Sequence, residues 1–211
     1  MICFISSSGT LAYFLYKNDE LFMNFMLVLA QIQPNGDTQM DITKIGYGEN
    51  PDAVKAIIEV PLNSAIKYEI DKDSGAVEVD RVLYSSMHYP ANYGFVANTL
   101  SDDGDPADIL VLCDYPLQAG SFIKCRLVGV LMTEDESGGD EKLIAVPTVK
   151  IDPTYANIND LGDVPEHTLN RIKNFFETYK MLEPNKWVKV AGFKDKAAAT
   201  AILDKAIKNY K

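Results

Sequence analysis

This sequence is poor in what several large protein classes require. Three cysteines stand in 211 residues, Cys3, Cys113 and Cys125, an odd number with no Cys-x-x-Cys pair. Cys113 and Cys125 fall in apolar, strand-like runs, which predicts buried free thiols of a reducing compartment, not a disulfide framework. The two histidines, His88 and His167, sit far apart with no Cys/His cluster, which argues against zinc. Positive charge is scarce as well: 20 Lys and Arg against 30 Asp and Glu leave a net charge of −10. A nucleic-acid surface needs basic stripes to neutralise phosphates, so that partner class is set aside.

Long apolar runs are missing too. Residues 11–16 and 21–32 are apolar, but Lys17-Asn18-Asp19-Glu20 separates them and neither reaches the roughly 18 residues that cross a bilayer. No basic stretch precedes the first run, no small-residue cleavage site follows the second, and the segment has no Arg; secretory and transit signals fit poorly. Pro34-Asn35-Gly36-Asp37 reads as a turn, and Met40 offers a second start. The expected organisation is an N-terminal extension over residues 1–39, of open role, and one catalytic domain over 40–211. A chain of this length buries a full core without staples.

What is present is a dense acidic loop. Asp103-Gly104-Asp105-Pro106-Ala107-Asp108 packs three carboxylates into six residues, with a Gly and a Pro that turn the backbone. Two ionised carboxylates about 4 Å apart repel by roughly 4 kcal/mol at an effective dielectric near 20. Divalent cations relieve that repulsion, and oxygen-only ligands suit hard ions such as Mg²⁺, which keep part of their water and hold phosphate oxygens. An acidic chain can still take a small phosphate compound when the cation comes with it. A solvated acidic turn is the plain alternative.

From residue 56 the pattern is strand after strand. Ile66, Tyr68 and Ile70 alternate with Lys67, Glu69 and Asp71, the period-2 signature of a half-buried strand. Asp73-Ser74-Gly75 turns this strand into a second over 77–83, and further strands are expected at 56–61, 109–113, 122–132, 143–149 and 187–193. Residues 89–94 read as two tyrosines beside tight-turn residues. Helices come late. Asp163 is expected to cap a helix with Pro165 and Glu166 in its first turn and Leu169, Ile172, Phe176 and Tyr179 on one face, ended by Pro184. Residues 196–210 form a second, Ala-rich helix. The predicted class is α+β: a small antiparallel OB-like β-barrel with flanking C-terminal helices.

The motifs taken together resemble the family I soluble inorganic pyrophosphatases of bacterial type. The matching stretches are Ile66-Lys67-Tyr68-Glu69, Val79-Asp80-Arg81, Tyr89-Pro90-Ala91-Asn92-Tyr93-Gly94, the Asp103–Asp108 loop, residues 135–142, and Phe175-Phe176-Glu177-Thr178-Tyr179-Lys180. Ala107 departs from the larger aliphatic residue usual there, at a position that packs and does not coordinate. The resemblance implies Mg²⁺-dependent hydrolysis of pyrophosphate to two phosphates, with several Mg²⁺ per site. It implies Asp105 as general base and Asp103, Asp108, Asp135 and Asp140 as metal ligands. Lys67, Arg81, Tyr93, Tyr179 and Lys180 would hold substrate oxygens, and Glu59, Glu69, Tyr89 and Lys142 would touch ligands or metal-bound water. It implies a cytoplasmic homohexamer with no nucleic-acid or membrane partner. A non-catalytic OB-like binding barrel and a simple divalent-cation module are the rival readings. The first predicts a basic aromatic groove; an EF-hand loop needs Gly where this chain has Asp108.

Overall fold

The computed structural model describes residues 42–71, 74–136 and 138–211. The predicted extension over 1–39 and the turn residue Asp73 lie outside the described residues. After a 3-10 turn at Ile42–Lys44 come β1 (Val54–Val60), β2 (Ile66–Ile70), β3 (Val77–Val82), β4 (Asn92–Val96) and β5 (Asp108–Val111). Then follow β6 (Phe122–Asp135), β7 (Gly138–Gly139), β8 (Lys142–Pro147), α1 (Glu166–Thr178), β9 (Val188–Asp195) and α2 (Lys196–Tyr210).

The strands close a ring in the order β1-β4-β5-β8-β6, and β6 returns to β1. The α+β class with an OB-like barrel is what the structure shows. Strand β6 makes closure possible. Its 14 residues pair first with β1, then with β8, and finally with β9 and β7. One pairing departs from the all-antiparallel expectation: β5 runs parallel to β8. Parallel neighbours need a long crossover, and here β6 itself supplies it, doubling back against β8.

Period-2 alternation divides the core into two clusters. Ile109 and Val111 of β5 and Leu143 and Ala145 of β8 pack with Ala199, Leu203 and Ala206 of α2. Leu110, Leu112, Ile144 and Val146 face the other way, toward Ile172, Phe175 and Phe176 of α1. Strands covered on both faces read as continuous apolar runs, and these two do. Ala107 is 2% exposed within the α2-side cluster, so that position packs as expected.

Strand β4 was hidden in the sequence behind Pro90, Asn92 and Gly94. Its glycine serves close approach: a Cβ at Gly94 would lie 1.8 Å from the carbonyl oxygen of Ile57 on β1. Asn92 is fully buried; its Oδ1 accepts from Leu62 N (3.0 Å) and Leu117 N (2.8 Å), and its Nδ2 donates to Tyr115 O (3.0 Å). That side chain replaces the backbone partners these loops lack.

Two helix-end expectations need correction. Asp163 does not cap α1. Its carboxylate accepts from the backbone N–H of Asn159 and Asp160 and closes the preceding 3-10 turn, while Pro165 precedes α1 without a side-chain cap. The helix also ends at Thr178, with Tyr179 as its C-cap, short of Pro184. α2 spans the predicted residues, and Asp195 Oδ1 accepts from Ala198 N at its start.

Candidate active site

Barrel strands, the β2–β3 hairpin and the end of α1 together line a cavity of about 320 Å³. The residues that sequence reasoning singled out come to it from seven places in the chain. Glu59 comes from β1, Lys67 and Glu69 from β2, Arg81 from β3, and Tyr89 and Tyr93 from the entry to β4 and β4 itself. Asp103, Asp105 and Asp108 come from the acidic loop, Asp135, Asp140 and Lys142 from the β6–β8 region, and Tyr179 and Lys180 from the end of α1. All fourteen line this one cavity, joined by Ile42, Ile70, Phe95 and Pro106.

The acidic loop is held by its own backbone. Ser101 N donates to Asp105 O (2.8 Å), Gly104 N to Ser101 O (3.2 Å), and Asp105 N to Asp103 Oδ1 (3.0 Å). Gly104 sits at φ +92°, a conformation other residues reach only with strain. Beneath the loop is Thr99, 1% exposed and not anticipated from sequence. Its Oγ1 donates to Val96 O (2.6 Å) and accepts from Ala107 N (2.9 Å), tying the end of the loop to the end of β4.

Lys142 is the electrostatic centre. At 3% exposure its ammonium donates to Asp108 Oδ2 (2.5 Å) and also pairs with Asp140, with the rings of Phe176 and Tyr93 at 5.7 and 5.8 Å. Burial alone would lower its pKa, but Asp108 and Asp140 outweigh it and hold the ammonium above its ordinary value. Burial pushes Asp108 above the usual carboxylate range, with Lys142 pulling it back. Tyr93 donates its hydroxyl to Asp108 Oδ2 (2.5 Å). Burial holds the phenols of Tyr89, Tyr93 and Tyr179 well above their ordinary value, so they stay neutral donors. The phenol rings are braced by α1: Phe175 lies 4.7 Å from Tyr89 and 4.8 Å from Tyr179, the latter stacked.

The cations hold carboxylate partners. Lys180 pairs with Asp135 at 3.0 Å. Lys67 pairs with Glu69 and lies 3.4 Å from Asp80. Arg81 Nη1 donates to Asp80 Oδ2 (2.7 Å), its neighbour in the chain. Glu183, 8% exposed, stands 3.3 Å from Arg81 Nε. Sequence reasoning missed Glu183, since a lone acid in an exposed-looking turn carries no local signal. Glu59, which accepts from Ile70 N (3.1 Å), is raised by burial to about 7.

Seven carboxylates thus line the cavity against four cations. Among the described residues, no three His, Cys, Asp or Glu side chains already converge on one point. Lys142 stands between Asp108 and Asp140. The donors are nonetheless all oxygen and in electrostatic excess, the set that hard divalent ions select.

A cavity of carboxylates, cations and neutral phenols defines an enzyme built to handle a small anion together with cations. The chain belongs to the family I soluble inorganic pyrophosphatases: the family model described as inorganic pyrophosphatase matches residues 56–211. It is 66% identical over 172 residues to the inorganic pyrophosphatase of Campylobacter jejuni, covering 82% of this chain and 100% of that protein. Against the Helicobacter pylori protein the identity is 59% over 171 residues, with 81% and 99% covered. The solved Helicobacter pylori inorganic pyrophosphatase superposes with a TM-score of 0.77 at 60% identity, over 79% of this chain and 98% of that one. The Thermus thermophilus structure gives 0.77 at 46% identity, over 81% and 99%.

Proposed function

We propose that this protein hydrolyses inorganic pyrophosphate to two phosphates, with Mg²⁺ as cofactor and Asp105 as general base. The observation that carries the reading is the convergence of fourteen separately encoded residues on one cavity. Asp103, Asp108, Asp135 and Asp140 would hold the metal ions. When bound, the ions supply positive charge to the crowded carboxylates and the anion, and make water more acidic.

The chain's own residues do the rest. Lys67, Arg81 and Lys180 offer cationic donors to phosphate oxygens, while Tyr93 and Tyr179 offer neutral hydroxyls. Asp105 lies at the exposed tip of the acidic loop, where a water has access to its carboxylate. That carboxylate takes a proton as the water oxygen bonds to one phosphorus. The bridging P–O bond breaks, and its electron pair leaves on the second phosphate. Positioning and electrostatics supply most of the acceleration in such a transfer. Glu59, Glu69, Tyr89 and Lys142 hold the surrounding charges in place.

The catalytic domain is residues 40–211 and the first 39 residues are an appendage. The oligomer is a homohexamer, which exposed Val79 and Val82 on β3 and Tyr84 just after it would suit, and the compartment is the cytoplasm. No helix among the described residues is long and apolar enough to cross a membrane.

The test is phosphate release from pyrophosphate with Mg²⁺, with and without chelator, for the wild type, Asp105→Asn and a chain lacking residues 1–39. The wild type should turn over only with metal. Asp105→Asn should lose about 10²–10⁴-fold in kcat, with calorimetric Mg²⁺ binding retained, and the shortened chain should stay within a few-fold. Metal-independent turnover, or an unimpaired Asp105→Asn, would refute the assignments; loss of fold on truncation would refute the domain boundary.

A further inference from the structure

Two of the substrate-facing cations ride on a weakly supported element. Lys67 and Arg81 belong to β2 and β3, which form a two-stranded sheet separate from the barrel. Five of the six β3 residues are exposed. Leu83 N to Ala65 O (2.8 Å) closes the open end of the hairpin, and Ile70 N to Glu59 Oε1 (3.1 Å) ties its turn end to β1. On the side facing the helices, Arg81 reaches Glu183.

Glu183 is well placed to act on that hairpin. It sits in the turn after α1 and does not line the cavity. Its N–H donates to Lys180 O (2.9 Å), and its carbonyl accepts from Lys186 N (3.4 Å), so its backbone is fixed on the turn that also carries Lys180. Its Oε1 and Arg81 Nε are both buried, and neither makes a well-formed hydrogen bond in this arrangement. The two atoms face each other as an ion pair at 3.3 Å, a second partner for a guanidinium that Asp80 already holds, and removing the Arg81 charge would strand Glu183. Asp80 holds Arg81 Nη1 and stands 3.4 Å from Lys67. The chain of charges thus runs Glu183–Arg81–Asp80–Lys67.

We propose that Glu183 is a positioning residue. It clamps the β2–β3 hairpin to the end of α1, and so sets Arg81, and through Asp80 also Lys67, against Lys180 across the anion. The inference rests on the pyrophosphate reading above. It predicts an effect on substrate binding without one on ion binding, because Glu183 is outside the acidic cavity.

The experiment compares wild type, Glu183→Gln, Arg81→Lys and the double variant by steady-state kinetics on pyrophosphate. Calorimetric titration of substrate-free protein with Mg²⁺ and thermal melting accompany it. Glu183→Gln should raise KM about tenfold, equivalent to ~1.4 kcal/mol of binding. Its kcat should stay within about threefold and its Mg²⁺ affinity should not move. The double variant should be little worse than Arg81→Lys alone, because the clamp acts through the guanidinium. If Glu183→Gln does not fold, Glu183→Asp, which keeps the charge and shortens the reach, should show the same KM rise with unchanged ion binding. A wild-type KM, fully additive effects in the double variant, or an equal loss of Mg²⁺ affinity would overturn the clamp. An inactive wild type would instead overturn the function proposed above.

Discussion

Replacing Lys142 by Met isolates the charge at the centre of the site. Met keeps most of the stem volume between the Phe176 and Tyr93 rings and removes the ammonium. Lys142 is 3% exposed, and the Asp108 and Asp140 side chains it joins are 23% and 15% exposed. Breaking a buried ion pair from one side costs about 3–5 kcal/mol, because the remaining charge is left uncompensated. The partial exposure of both aspartates places this case toward the lower end. For a domain of this size, each kcal/mol moves the melting temperature by about 2–4 °C, so a fall of roughly 6–15 °C is expected in chelator. The pH dependence has a definite sign. The Lys142 ammonium is held above its ordinary value, so its stabilisation is complete below about pH 10 and is lost only as pH rises through its folded value. In the variant, Asp108, which burial already holds above the usual carboxylate range, loses the ammonium that pulled it back and can escape by protonation, so the deficit relative to wild type should be smaller at pH 5 than at pH 8. Mg²⁺ should raise the melting temperature of Lys142→Met more than that of the wild type, since a cation supplies the missing charge. Differential scanning calorimetry with and without chelator reads all three effects. A fall under about 3 °C, or a deficit insensitive to both pH and Mg²⁺, would refute the electrostatic account.

Two further outcomes follow from buried polar groups. Burial raises Glu59 from 4.5 to about 7, so ionising it in the folded chain costs stability as pH climbs through that window. In chelator, Glu59→Gln should match the wild type near pH 4 and exceed it at pH 8 by no more than about 3 kcal/mol; equal stabilities by urea unfolding at both pH values would contradict this. Thr99→Val keeps the shape but strands the Ala107 N–H beneath the acidic loop, at a cost of about 1–3 kcal/mol. It should also weaken Mg²⁺ binding to substrate-free protein, with Thr99→Ser restoring both; unchanged calorimetry would remove Thr99 from any role in shaping the loop.

How much of this was legible in the chain differs residue by residue. The acidic loop is local: three carboxylates around Gly104 and Pro106 announce their repulsion and their turn without any partner. The alternation of β2 and the helical spacing along α1 are local as well, because one covered face imposes a period on the residues that form it. Strand β4 was not legible. Its Gly94 answers to the Ile57 carbonyl 37 positions away, and Asn92 to backbone groups near residues 62 and 115. Lys67, Arg81 and Lys180 carry no local pattern that marks them as site residues, and only the motif resemblance selected them.

By itself, then, the sequence determined the strand-rich barrel class, the late helices and the acidic loop, since each follows from interactions between near neighbours. Tertiary structure decided which charges meet. Lys142 on Asp108, Lys180 on Asp135, and Glu183 behind Arg81 join residues 34 to 102 positions apart. Coulomb energy depends on separation in space and on burial, and neither is written in the order of residues until the barrel closes.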